Sequence, residues 1–184
     1  MTNETKLGTG LATGMFYHAP AGTALPTSLS SALSSTWKQV GDVSDAGITL
    51  ALNKSTTNLK NWANVIKRVV LTDHSETVQS PIMDTTEESL KTVVGSNNVT
   101  KANGVVKCNL SDEQLPPPEA YLWLMKDGDD MMAVGCSKGQ ITAVDNVSFA
   151  PGSSINWTPT ITALGDEGMV LIMEEGAQGA TGAT

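Results

Sequence analysis

The sequence predicts a mainly β protein in which two packed β-sheets form a sandwich or a partly closed barrel with one flanking α-helix. Short runs rich in β-branched and apolar residues recur along most of the chain, and Gly, Pro, Asn or Asp bound each run. Only one segment has apolar residues at helical spacing, and its apolar face is narrow. Many short strands with a single helix are typical of a sandwich or a small barrel.

Residues 1–36 are predicted to be an extended N-terminal arm. Glycines and prolines interrupt this stretch, and only Thr13–Ala19 has the character of a short extended piece. An arm of this length in a compact protein is either disordered or contacts another molecule. Order is predicted to begin at Trp37, and residues 37–175 are assigned to the β-domain.

Three strands and a long loop are predicted before the helix. Ile48–Leu52 alternates in character, whereas Asn53–Asn61 is polar, lacks an apolar pattern and is predicted to be a loop. Val65–Leu71 is strongly β-branched. Thr77–Met83 is a further predicted strand, in which Pro81 indicates a sheet edge or a bulge.

The helix is predicted between Asp84 and Gly95. Asp84 can cap it, Glu87 follows at the spacing of a capping box, and Gly95 can end it. Asp127-Gly128 predicts a hairpin turn between two later strands. The later predicted strands are Gly104–Leu110, Ala120–Met125, Met131–Cys136, Gln140–Phe149, Ser153–Leu164 and Met169–Met173.

Residues 176–184 form three Gly-X-X triplets and are predicted to be a flexible tail. A collagen helix needs many more triplets with proline. The alternative interpretation is a linker toward an extension.

The composition argues against several functions. The chain has 11 basic and 19 acidic residues and a net charge of −8, which does not suit nucleic-acid binding through clustered Lys and Arg. No apolar run approaches the roughly 20 residues of a membrane span. The first ten residues do not resemble a signal peptide, so Cys108 and Cys136 are expected to be reduced and mostly buried.

Charge is spread unevenly along the chain. Residues 1–72 have a net charge of +3, and residues 73–184 have a net charge of −11. Two interpretations stay open: a drift in composition, or copies of the chain that meet through surfaces of opposite charge.

No catalytic, metal-binding or cofactor motif is found, so no cofactor is predicted and the chain is not expected to be an enzyme. His18 and His74 lack a partner at a recognised spacing and are interpreted as solvated. The cluster Asp127-Gly128-Asp129-Asp130 does not continue as a calcium loop, and its carboxylates are interpreted as solvated turn residues. Trp123 and Trp157 are predicted core residues, whereas Trp62 could reach a neighbouring subunit.

The order of these features resembles the major tail protein, or tail tube protein, of long-tailed bacteriophages with non-contractile tails. The resemblance spans residues 13–173 and includes Trp37–Ile48, which is similar to the family's W-x-x-x-G-x-x-x-x-x-G pattern. The other matching pieces are His18–Pro26, Trp62, the basic strand Ile66–Leu71, the strand from Thr77, the helix Asp84–Gly95, and the strands around Trp157 and Leu164.

This resemblance implies a tail-tube-like fold and a structural protein of the virion tail, assembled in the bacterial cytoplasm and without a membrane partner. Six copies would form a ring, and stacked rings would form a tube through which DNA passes without specific binding. A hexameric ring would carry a net charge of −48, which would repel DNA from a carboxylate-lined lumen. The implied partners are other copies of the chain and the tape measure, tail terminator and distal tail proteins.

The resemblance also implies where subunits meet. In the family, N-terminal arms and a long loop between early strands reach neighbouring subunits and rings, and these correspond here to residues 1–36 and Asn53–Trp62. The candidate subunit or ring contacts are Phe16, Tyr17, His18, Lys54, Lys60, Trp62, Lys67 and Arg68.

Three other functions remain open on the sequence alone. A capsid decoration or tail-terminator protein would form a trimer or a single ring. A carbohydrate-binding β-sandwich would expose its tryptophans. A hydrolase that uses Asp127, Asp129 or Asp130 is the least favoured.

Overall fold

The computed structural model describes residues 5–11, 15–111 and 114–176. The described chain is mainly β with one α-helix, α1 (Glu87–Val94), which confirms the predicted class. It contains a nine-stranded sheet and a two-stranded sheet, and the described residues form no closed barrel. The strands are β1 (Thr9–Gly10), β2 (Phe16–Pro20), β3 (Lys38–Gly41), β4 (Thr49–Lys60), β5 (Ile66–Gln79), β6 (Val99–Ala102), β7 (Val105–Cys108), β8 (Glu119–Asp127), β9 (Asp130–Val144), β10 (Pro159–Ala163) and β11 (Val170–Glu174).

Seven strands of the large sheet lie side by side in the order β3-β2-β8-β9-β10-β5-β4, and all neighbours are antiparallel. The two remaining strands pair at its margins, β1 with β8 and β11 with β9. β6 and β7 form the small sheet as a separate hairpin. The turn predicted at Asp127-Gly128 joins β8 to β9 and is confirmed.

Strand β2 lies inside the large sheet, between β3 and β8, although the sequence analysis assigned it to the arm. Phe16 has no exposed surface, and its ring stacks on Trp123 with the ring centroids 4.9 Å apart. The arm prediction is therefore wrong for residues 16–20. Both faces of this strand are packed, so it lacks the apolar–polar alternation by which a strand is usually recognised.

The hydrophobic core lies on both faces of the large sheet. On one face, Trp123 and Tyr121 pack with Leu90 and other side chains of α1, and the indole nitrogen of Trp123 donates a hydrogen bond to buried Ser80. On the other face, apolar residues of β8 and β9 pack against Leu29 and other residues of segment 25–37. The prediction that Trp123 and Trp157 are core residues is confirmed.

The helix is found where the sequence predicted it, with a different N-terminal cap. Thr86 caps α1 by accepting a hydrogen bond from the Ser89 N–H, and the Ser89 hydroxyl accepts one from the Thr86 N–H. Asp84 instead accepts a hydrogen bond from the Asp42 N–H at 2.8 Å, which ties the approach to the helix to β3. Gly95 follows the helix with φ of 95°, a conformation that favours glycine.

Glu174, at the end of β11, holds the segment that covers the second face of the sheet. Its carboxylate accepts hydrogen bonds from the Ser30 hydroxyl at 2.7 Å, from the Ser30 N–H at 3.0 Å, and from the Leu29 N–H. These bonds, led by the Ser30 hydroxyl, hold the pKa of Glu174 below its usual value. One carboxylate therefore fastens the covering segment to the last strand.

Two carboxylates of the β8–β9 turn bind the ends of the described chain. Asp127 accepts a hydrogen bond from the Leu7 N–H at 3.0 Å, and Asp130 pairs with Lys6 and accepts from the Gly176 N–H at 2.8 Å. The prediction that these are merely solvated turn residues is wrong for Asp127 and Asp130, because each accepts a hydrogen bond from a distant part of the chain. Of the predicted tail 176–184, residues 177–184 lie outside the described residues.

Replacing Phe16 with alanine is expected to lower the free energy of unfolding by about 3–5 kcal/mol, because it removes a fully buried ring and leaves a cavity. Chemical denaturation measures the change. Phe149→Ala is the matched control, because Phe149 is 70% exposed. Its effect is expected to stay within about 0.5 kcal/mol. Similar losses for both variants would contradict the placement of Phe16.

Replacing Glu174 with glutamine is expected to destabilise the fold at neutral pH and to weaken its dependence on pH in the acid range. A carboxyl whose pKa is lower in the folded state stabilises the fold above its unfolded pKa. That stabilisation is lost as the pH falls through the folded pKa. Denaturation curves measured from neutral to acid pH test this, with the neighbouring Glu175→Gln as control. Identical pH profiles for Glu174→Gln and the unmodified protein would rule the contact out.

Candidate functional site

Strands β4 and β5 extend beyond the large sheet as a two-stranded ribbon. β10 pairs with β5 only at Thr77–Gln79, whereas β4 pairs with β5 from Thr49 to Lys60. We call residues 53–75 the ribbon. At about 3.3 Å per residue, its first strand reaches roughly 23 Å between Asn53 and Lys60.

The ribbon corrects two predictions. Asn53–Asn61 is not a loop, because all but its last residue belong to β4. The strands predicted at Val65–Leu71 and Thr77–Met83 both overlap one continuous strand, β5, which ends at Gln79. In the ribbon both faces of β4 are exposed, so polar residues occupy both faces and no alternation results, although Thr56 and Thr57 favour a strand.

The register of the ribbon places Ile66, Val69 and Leu71 on one face. Directly opposed residues share a face, and successive pairs alternate between faces. One face continues the buried side of the sheet at Val78, and we call it the apolar face. The pairs on this face are Leu50–Val78, Leu52–Glu76, Lys54–His74, Thr56–Leu71, Asn58–Val69 and Lys60–Ile66. The pairs on the opposite face are Asn53–Ser75, Ser55–Asp73, Thr57–Val70 and Leu59–Arg68.

No part of the chain that the structure describes covers the apolar face. Leu52, Val69 and Leu71 are each more than half exposed, whereas Val78 at the base of the same face is fully buried. The core-facing side of the sheet therefore continues into solvent along the ribbon. Contiguous exposed apolar surface marks an interaction site, and an isolated two-stranded hairpin is only marginally stable in water.

The tip of the ribbon presents a tryptophan on a defined turn. Asn61 accepts hydrogen bonds from the Asn64 N–H through its carbonyl and from the Val65 N–H through its side chain, both at 2.9 Å. The Asn61 N–H donates to the Val65 carbonyl at 3.0 Å, which closes the turn. Trp62 is fully exposed on this turn. Exposed tryptophan on an ordered element is typical of an anchor at a protein interface.

The ribbon is also basic. Residues 53–75 contain four basic residues, Lys54, Lys60, Lys67 and Arg68, and one acidic residue, Asp73. Within the described residues, none of these four forms an ion pair. The surface therefore combines apolar side chains with positive charge that the described chain leaves unneutralised.

The eight candidate contacts predicted from the sequence fall into two groups. Lys54, Lys60, Trp62, Lys67 and Arg68 all lie on the ribbon or at its tip. Phe16, Tyr17 and His18 lie on β2 in the body of the protein.

The β2 candidates are less accessible than the ribbon. Phe16 is enclosed by the chain's own core, which corrects its assignment as a subunit contact. Tyr17 is half-buried. Its pKa is raised mainly by this burial and, to a smaller extent, by the nearby negative charge of Asp42.

His18 is buried, so its interpretation as a solvated histidine is wrong. Its Nδ1 lies 2.8 Å from a carboxylate oxygen of Glu119, and its Nε2 lies 3.3 Å from a carboxylate oxygen of Glu88. These residues border a pocket of about 510 Å³ between β2 and the chain around Pro118. His74 lies exposed on the ribbon, as its solvated interpretation predicts.

Sequence reasoning missed the apolar members of the site. Leu52, Ile66, Val69 and Leu71 belong to runs that were predicted to be strands, and their exposure follows only from where β10 stops pairing with β5. One signal pointed to them, the basic pair Lys67-Arg68 inside an apolar run. Two adjacent charges are poorly placed in a buried strand.

The described residues contain no group of three His, Cys, Asp or Glu side chains that could hold a metal ion. No helix within them is both long and apolar enough to cross a membrane. Cys108 and Cys136 are free thiols, and burial raises the pKa of Cys136 to about 11.

Comparison with known proteins agrees with a structural role. A family model described as phage tail tube protein matches residues 2–177. No curated protein matches the chain.

Acrylamide is expected to quench the fluorescence of the dissociated protein mainly through Trp62, because the other three tryptophans are at most 8% exposed. Trp62→Phe should therefore remove most of the quenchable emission, and Trp37→Phe, the matched control, should retain it. Equal quenching of the two variants would contradict the exposed position of Trp62.

Proposed function

This chain belongs to the phage tail tube protein family, a family of structural proteins of the virion tail, and we propose that its copies form stacked hexameric rings of a long, non-contractile tail. The tube formed by these rings is the conduit through which DNA is ejected. In this role the chain acts by assembly and not as an enzyme.

The observation that most supports this proposal is the uncovered apolar face of the ribbon. Its leucine and valine side chains continue the core surface of the sheet beyond the body of the molecule. Burial of apolar surface is the main favourable term in association, at roughly 25 cal/mol per Å². A neighbouring subunit that covers this face would gain that term and would also stabilise the ribbon.

The free edges of the large sheet favour rings and tubes. β3 and β4 end the row of seven strands, and β4 is twelve residues long. Long unpaired edges are aggregation sites unless they are protected, and pairing between subunits protects them. Contacts between two different surfaces close into rings or continue as filaments, and a tube of stacked rings uses both outcomes.

The residues that precede β2 are our candidates for an arm that contacts neighbouring copies. Within the described chain they join the body through the two-residue strand β1 and through the carboxylates of Asp127 and Asp130. Tape measure, tail terminator and distal tail proteins are the further partners that this proposal implies, with assembly in the bacterial cytoplasm.

Acidic surface charge suits a conduit for DNA. The net charge of −8 per chain gives −48 per hexameric ring, and carboxylates that face a lumen would repel the phosphate backbone. DNA would then pass through the tube without binding to its wall.

The purified chain is expected to form tubes of uniform width, with six-fold end views, as its concentration rises. Electron microscopy and sedimentation test this. Trp62→Ala should raise the concentration needed for assembly by about 30-fold, the effect of losing an interface anchor worth about 2 kcal/mol. Leu110→Ala, at an exposed position outside the ribbon, is the control.

Two results would contradict the proposal. One is a monomer that persists at all concentrations. The other is a trimer or single ring that never stacks, which would instead indicate a capsid decoration or tail-terminator protein.

A further inference from the structure

The proposed self-assembly leaves open which surface receives the ribbon, and this inference rests on that assembly. We propose that the apolar face of the ribbon packs against the strand β11 of a second copy of the chain. We call the receiving residues 164–176 the β11 surface. It comprises β11 and the loop that precedes it.

β11 is exposed in a manner that suits such a contact. It pairs with β9 along one edge, and in the described part of the chain no strand pairs with its other edge. Leu171 and Met173 are each about half exposed on one face of this strand. Leu171 lies opposite Val134, which belongs to the same core cluster as Val78. The β11 surface and the ribbon therefore hold two uncovered apolar patches on the same side of the large sheet.

The two surfaces are complementary in charge. The ribbon contains four basic residues and one acidic residue, Asp73, and residues 164–176 contain four acidic residues and no basic residue. The acidic residues are Asp166, Glu167, Glu174 and Glu175. Opposite charges around an apolar contact select the partner surface and accelerate encounter.

The chain does not satisfy this complementarity by itself. Glu76, at the base of the ribbon, accepts a hydrogen bond from the Met169 N–H, so the base of the ribbon touches the loop before β11. Farther out, none of the four basic residues pairs with a carboxylate within the described residues. Their charge is therefore free to meet the β11 surface of another copy.

The contact between the ribbon and the β11 surface can also be repeated from one copy of the chain to the next. The ribbon and the β11 surface are different surfaces of one chain, so the contact is heterologous. Two copies joined in this way still have one free ribbon, on one copy, and one free β11 surface, on the other. A self-complementary contact would instead stop at a dimer. The proposed pairing thus supplies the asymmetry that a ring or a tube requires.

Cross-linking between two labelled populations tests the pairing directly. In a Cys108→Ser background, one population carries Val69→Cys on the apolar face of the ribbon, and the other carries Met173→Cys on β11. After co-assembly, a short bis-maleimide should cross-link the two populations into mixed dimers. Thr57→Cys, exposed on the opposite face of the ribbon, is the matched control and should cross-link to Met173→Cys at least about tenfold less.

Charge reversal gives a second readout. Lys54→Glu with Lys60→Glu should raise the concentration needed for assembly by about tenfold or more, and so should Asp166→Lys with Glu175→Lys. Combining the four substitutions in one chain should restore assembly. Glu167 and Glu174 are left unchanged because they bind Ser137 and Ser30 within the chain.

The outcomes separate this inference from the proposed function. Mixed cross-links with rescue by the combined charge reversal support the pairing. Tubes that form normally, without mixed cross-links and without rescue, overturn the pairing and leave the tail tube role intact. A chain that never self-associates overturns both.

Discussion

The surface by which this protein would assemble depends on the continuity of strand β5. The strand is fourteen residues long, and β10 pairs with only its last three residues. Val78 is therefore fixed in the core while Val69 and Leu71 project beyond the body on the same face. Because one strand spans both environments, the packing of the core sets the direction of the ribbon and the side on which its apolar face lies.

The continuity of β5 explains why the ribbon carries apolar residues although it is exposed to solvent. A strand that left the sheet to end in solvent would normally carry polar residues on both faces. Between Asn53 and Asn58 β4 is polar on both faces, whereas β5 places the exposed apolar residues Ile66, Val69 and Leu71 on the face that continues the core side of the sheet. The covering layer that such a strand needs is absent from the described chain, and in the proposed assembly a second copy supplies it.

The same reasoning accounts for what the sequence did and did not predict. The helix, the β8–β9 hairpin and the core tryptophans were predicted because each has a local signal, such as apolar spacing or a Gly turn. β2 and the outer part of β4 were missed for opposite reasons. Phe16–Ala19 is packed on both faces, and Asn53–Lys60 is exposed on both, so neither alternates. The resemblance to the tail tube family gave Lys54, Lys60, Lys67 and Arg68 as candidate contacts, but the apolar half of the site depends on where the sheet ends.

The uneven charge of the chain acquires a spatial meaning in this assembly. Four of the six basic residues in the first 72 positions lie on the ribbon. Four of the acidic residues in the later part of the chain lie close together, within residues 164–176 around β11. If subunit contacts consume the basic residues of the ribbon, the surfaces left free are more acidic than the composition alone indicates. In a tube built in this way, the positive charge would lie in the contacts between subunits, and carboxylates would face the DNA. Positive charge in the lumen would attract the phosphate backbone and slow the movement of DNA through the tube.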